Sequence, residues 1–158
     1  MLIITHAYII TPDRRLWDGA VTVDEGRITA LGSTSEAAIP PGAQVIDAGG
    51  AMLAPGFIDL QVNGAFGHDF TAVPASIWPV AERYARYGVT AFLPTVITSP
   101  LATIEQAQKV VCAPPPGFRG AEPLGLHVEG PFLNPARKGA HNAAYLRAEQ
   151  SRASQLAP

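Results

Sequence analysis

A single cysteine, Cys112, leaves the chain unable to form an internal disulfide and fits a reducing compartment. That thiol lies in the apolar run Lys109-Val110-Val111-Cys112-Ala113, so it is expected to be a small buried core residue. Charge of one sign is not in excess: 11 Lys and Arg stand against 13 Asp and Glu, a formal net charge of -2. Neither nucleic acid nor an anionic membrane surface is therefore an expected partner. No apolar run approaches the roughly 18 residues of a membrane span. The opening stretch MLIITHAYIITPD has no basic n-region, no long apolar core and no small-residue cleavage site, so no signal peptide is expected and the protein is placed in the cytoplasm.

Gly and Pro, by contrast, are plentiful. There are 15 of each in 158 residues, well above the usual combined share of about 12%. They show no period, which excludes a collagen-like repeat, and they punctuate many short elements. With 47% hydrophobic and 15% charged residues, the composition is that of a globular chain with a sizeable core.

Residues 1–50 read as strands. Leu2 to Ile10 is rich in β-branched and aromatic residues. Ala20–Val23 and Arg27–Leu31 flank Asp24-Glu25-Gly26, the signature of a hairpin, and Gln44–Ile46 is a further short run. The pattern changes at residue 51. Met52–Leu60, Thr90–Ile97 and Leu124–Glu129 read as buried strands. Between the first two, Ile77, Val80, Ala81 and Tyr84 recur at helical spacing within 75–87, with Gly88 as a stop. Between the second and third, Ser99-Pro100 starts a helix, with Ser99 as N-cap. Pro114 to Gly117 is a loop, and Ala143–Leu156 has helical composition. The alternation β-α-β-α-β predicts a parallel sheet. The pattern is compatible with a doubly wound sheet or a (β/α)8 barrel, and no G-x-G-x-x-G supports a dinucleotide fold.

Two stretches carry candidate chemistry. In GLHVEGPFLNPARKGAHN (125–142), strand alternation puts His127 and Glu129 on one face, with Glu129 at the C-terminal end of its strand. A carboxylate there can bind a divalent metal or act as acid or base. In PGFIDLQVNG (55–64), Asp59, Gln61 and Asn63 alternate and are expected to face one way, although Asn63-Gly64 is also ordinary turn chemistry. His141 and His68 stand in Gly-containing loops, where a solvated histidine is the common outcome, and His6 reads as structural. Arg137 and Lys138 form a basic pair.

The string VIDAGGAMLAPGFIDLQVN (45–63) resembles the entry into the barrel of the amidohydrolase superfamily. Most members carry His-x-His where this chain has Gln61-x-Asn63. The Gln-x-Asn-Gly form, with GVTAFLPTVITSP (88–100) and GLHVEGPFLNPARKGAHN (125–142), is similar to the N-acetylglucosamine-6-phosphate deacetylase branch. The resemblance covers nearly the whole chain, as an N-terminal portion.

It implies an α/β fold: residues 1–50 as the N-terminal part of a β-sandwich, and 51–158 as the first three strands of a (β/α)8 barrel. It implies hydrolysis of N-acetylglucosamine 6-phosphate, a small amino-sugar phosphate, to glucosamine 6-phosphate and acetate. One divalent metal, zinc or iron, is implied, with Glu129 as a ligand. Gln61 and Asn63 would line the substrate pocket, and the Ala140 backbone and His141 would hold the sugar. A homodimer is the default assembly at full length. The family's histidine ligands, general-base aspartate and phosphate-binding arginine would lie past residue 158. A complete barrel needs about 250 residues, so the chain by itself is expected to hold metal weakly or not at all and to be inactive. The alternatives are another metal-dependent amidohydrolase and a non-catalytic module that pairs its open sheet edge with another chain.

Overall fold

The computed structural model describes residues 1–147. The later part of the helix expected over Ala143–Leu156 lies outside the described residues; at its start, Ala143–Tyr145 forms a 3-10 turn. The chain divides into two compact units, Met1–Pro55 and Gly56–Pro158. Met52–Leu53 pairs with the first strand, which carries the division to Pro55, beyond residue 50.

The first unit is a five-stranded sheet. Strands β1 (Leu2–Ile10), β2 (Arg15–Asp24), β3 (Arg27–Ser33) and β4 (Gln44–Asp47) lie in the order β3-β2-β1-β4, and β5 (Met52–Leu53) also pairs with β1. The β1–β2 and β2–β3 pairs are antiparallel, and β4 and β5 run parallel to β1. The β2–β3 hairpin turns through Glu25 and Gly26, both at positive φ (48° and 76°). Two positive-φ residues give the turn the twist that the flanking strands share, and glycine takes that conformation without strain. Ala7, Ile9 and Val21 form the core of this unit. His6 sits at a register shift in β1 with φ 51°, and its Nδ1 lies 3.0 Å from Asp18 Oδ1 on the surface.

The second unit is mixed α/β around a parallel sheet. Its elements are β6 (Phe57–Val62), α1 (Ile77–Tyr84), β7 (Val89–Ile97), α2 (Leu101–Val111), β8 (Glu122–Pro123) and β9 (His127–Glu129). β7 is central, with β6 on one side and both β8 and β9 on the other, all parallel to it. Residues Ile77, Val80 and Ala81 of α1 pack with Val62, Phe70, Phe92 and Val96 in one core. The helix is shorter than the 75–87 pattern, because 3-10 turns at Pro74–Ser76 and Ala85–Tyr87 flank it. Gly88 ends it in the left-handed conformation (φ 80°). No helix among the described residues is long and apolar enough to cross a membrane.

Several expectations change. The run Met52–Leu60 is not one buried strand: β5 and β6 belong to different sheets, and Phe57, Ile58 and Leu60 are 71%, 61% and 63% exposed. Among the described residues β6 is the edge of its sheet, so a run that reads as buried on both faces has a packed partner there only where Val62 meets the core. Leu124–Glu129 is interrupted: Leu124 N–H still bonds to Phe92 carbonyl, but strand geometry resumes only at His127, after Gly125. Ser99 is not the cap of α2. Pro100 holds that position, its carbonyl accepting from Thr103 and Ile104, and the Ser99 hydroxyl is buried without a partner among the described residues.

Cys112 is exposed rather than buried, because α2 ends at Val111 and Cys112 is its C-cap residue; its backbone N–H bonds to the Gln108 carbonyl, and its thiol accepts from Gln108 Nε2 at 3.2 Å. A thiol reagent such as Ellman's is thus expected to modify Cys112 fully in native buffer. Modification that required denaturant would contradict this placement.

Candidate functional site

In a parallel sheet the strand C-termini all lie along one edge, so residues far apart in sequence meet there. Gln61 is the penultimate residue of β6, and Asn63 follows it. The register of β6 against β7 shifts between Asp59 and Val62, which breaks simple alternation. Val62 turns into the core, while Gln61 and Asn63 face the last strand. Glu129 ends β9, opposite Ile97 of β7.

Three of the predicted residues converge on that carboxylate. Gln61 Nε2 donates to Glu129 Oε2 at 3.1 Å, and Asn63 Nδ2 reaches the same oxygen at 3.4 Å. His141 Nε2 lies 3.4 Å from Glu129 Oε1. A carboxylate only accepts, so both amides present their NH2 groups to it. Ala140 lines the same cavity, of about 590 Å³, with Asn63, Glu129, His141, Asp69 and Lys138. Glu129 remains about one-third exposed, so the carboxylate is held yet open to the cavity.

Asp59 does not join this group. Its Oδ1 accepts from Gln61 N–H at 3.2 Å, and its negative charge adds to burial in raising the phenol pKa of Tyr84, on α1. His141 is not a solvated loop histidine: it is buried, with Nδ1 2.8 Å from Thr98 Oγ1. Lys138 is engaged with backbone, donating to His141 carbonyl at 3.1 Å and Gly139 carbonyl at 3.3 Å. Sequence reasoning missed Thr95, Thr98 and Asp69. Thr95 Oγ1 accepts from Val62 N–H and lies 3.3 Å from His127 Nδ1. Asp69 Oδ1 accepts from the Thr71 and Ala72 N–H groups. The one available signal was position: Thr95 and Thr98 are polar residues in and just after the apolar C-terminal part of a strand.

The donor set sets a limit on metal binding. Glu129 offers a carboxylate and His141 one ring nitrogen, and the amides are far poorer ligands than imidazole. Among the described residues no group of three His, Cys, Asp or Glu is placed to hold a metal ion. A catalytic zinc site takes three protein ligands, so these residues alone do not complete one.

No family model matches the chain. The N-acetylglucosamine-6-phosphate deacetylase of Vibrio furnissii is 37% identical over 152 residues, 90% of this chain and 37% of that protein. The crystal structure of the enzyme of that name from Pasteurella multocida superposes with a TM-score of 0.82 at 33% identity, covering 97% of this chain and 40% of that one. A D267A mutant of the Mycobacterium smegmatis enzyme, solved in complex with N-acetyl-D-glucosamine-6-phosphate, gives 0.69 at 26% identity, covering 93% and 37%. The chain therefore spans less than half the length of each of these proteins. In sequence and in fold, the chain is related to the N-terminal portion of the N-acetylglucosamine-6-phosphate deacetylases.

Proposed function

We propose that this chain forms one wall of the active site of an enzyme that hydrolyses N-acetylglucosamine 6-phosphate to glucosamine 6-phosphate and acetate. The observation that carries the reading is the convergence of Gln61, Asn63 and His141 on Glu129 at the C-terminal edge of a parallel sheet. Relatives of that name at 37% and 33% identity support it. In this reading residues 51–158 contribute the first three strands of a (β/α)8 barrel, and residues 1–50 part of a β-sandwich. Glu129 is one donor to a divalent metal ion, zinc or iron, whose other ligands come from outside the described residues, as does the general-base aspartate.

The chain's own groups bind and orient. The Gln61 and Asn63 amides hold the Glu129 carboxylate in a fixed rotamer by donating to one of its oxygens. His141 turns Nε2 toward the cavity, where a sugar hydroxyl can reach it, and the Ala140 backbone borders the same space. The substrate is a small amino-sugar phosphate, with no role for nucleic acid or membrane. The working assembly is a cytoplasmic homodimer.

The test is a deacetylation assay with N-acetylglucosamine 6-phosphate and added zinc or iron. The 158-residue chain is expected to show no turnover, and a polypeptide that continues this sequence to the length of its relatives is expected to turn over. Turnover by the 158 residues alone would mean that the ligand set is complete within this chain. Absence of turnover in both would remove the substrate assignment.

A further inference from the structure

His141 comes from an irregular loop, and an imidazole there has two free torsions and two unlike nitrogens. Which nitrogen meets a ligand is decided by what holds the other one. Thr98, just past the C-terminal end of β7, supplies that hold. Its Oγ1 lies 2.8 Å from His141 Nδ1 in a buried contact and 3.4 Å from the Glu129 backbone carbonyl. Thr98 is 3% exposed and His141 9%, so water does not compete for this contact.

The surroundings keep the contact clear. Gly130 stands directly against it: a β-carbon there would collide with Thr98 Oγ1 and lie 3.6 Å from His141 Nδ1. The backbone of His141 is held separately, by Lys138 Nζ on its carbonyl. With backbone and Nδ1 both fixed, Nε2 is the ring nitrogen left for Glu129 and the cavity.

We propose that Thr98 is a positioning residue of this site, its buried hydroxyl binding Nδ1 of His141 and so presenting Nε2 to Glu129 and to an incoming ligand. The ligand-facing role rests on the function proposed above; the contact itself does not. Threonine suits the task because its branched β-carbon restricts χ1 and keeps the hydroxyl aimed.

The experiment is a long-range ¹H–¹⁵N spectrum of the histidine ring nitrogens in the 158-residue chain, in Thr98→Val and in Thr98→Ser. In the unsubstituted chain the Nδ1 resonance of His141 is expected at a hydrogen-bonded shift. Thr98→Val, which keeps the shape and loses the hydroxyl, is expected to move Nδ1 to the position of a free ring. Thr98→Ser is expected to restore it. An unchanged Nδ1 in Thr98→Val, or no restoration by Thr98→Ser, overturns the proposal. Should Thr98→Val lose its fold by circular dichroism, the unsubstituted chain decides alone: a free Nδ1 shift there is sufficient to overturn it. No substrate enters this measurement, so its failure leaves the deacetylase reading standing, and a failed deacetylation assay leaves this result standing.

Discussion

Replacing Glu129 by Gln is expected to lower deacetylation at least about 100-fold in a polypeptide that continues this sequence to the length of its relatives, with KM changed far less than kcat. The size follows from the general finding that even groups outside a metal's ligand shell cost about 10- to 100-fold when removed. Glu129 is the group on which Gln61, Asn63 and His141 all converge. The amide has nearly the same volume, so the cavity is preserved while the charge and one acceptor are lost. The new NH2 must then face either the amide donors on one side or His141 Nε2 on the other. Because Glu129 is about one-third exposed, that mismatch can be relieved by water, and folding stability is expected to change by less than about 1 kcal/mol. Steady-state kinetics and a thermal melt separate the two effects. Activity within tenfold of the parent, at unchanged stability, would remove Glu129 from the reaction centre.

How far the sequence made this arrangement legible depends on whether each feature has a local cause. The β2–β3 hairpin was visible because Glu25-Gly26 must take positive φ, and Gly26 is a residue that does so freely. The buried face of α1 was visible because Ile77, Val80 and Ala81 recur at helical spacing. Glu129 could be placed at a strand end because Gly130-Pro131 follows it. Other features depend on what lies across the fold. Whether Ile58 and Leu60 are buried is a property of the neighbouring strand, and among the described residues β6 has a neighbour on one side only. The thiol of Cys112 follows from where α2 stops, a boundary that apolar composition does not mark. Asp59 parts from Gln61 and Asn63 at a register shift against β7, which no spacing in PGFIDLQVNG announces. The hold of Thr98 on His141 joins residues 43 positions apart, and neither residue carries a local sign of the other. The pairing of Gln61 and Asn63 with Glu129 was foreshadowed only through the family resemblance, since amide side chains before Asn-Gly read as turn chemistry in their own right.

That same long-range contact makes Gly130 a position where one added carbon should cost stability through the site itself. Gly130→Ala is expected to destabilise the chain by about 2–3 kcal/mol. Two terms enter. Gly130 holds φ 91°, a conformation that costs an L-residue about 1–2 kcal/mol. The added β-carbon also collides with Thr98 Oγ1, so the hydroxyl must leave its contact with His141 Nδ1, worth about 1 kcal/mol. At roughly 2–4 °C per kcal/mol for a chain of this size, the melting temperature should fall by about 4–12 °C. Gly139→Ala separates the terms. Gly139 is also at positive φ (57°), but a β-carbon there meets no atom within 4 Å, so only the backbone term applies and the fall should be about 2–8 °C. A larger fall for Gly130→Ala than for Gly139→Ala measures the collision with Thr98. Equal falls would show that the hydroxyl yields at no cost, and the tight seating of Thr98 between Gly130 and His141 would then be no constraint on the site.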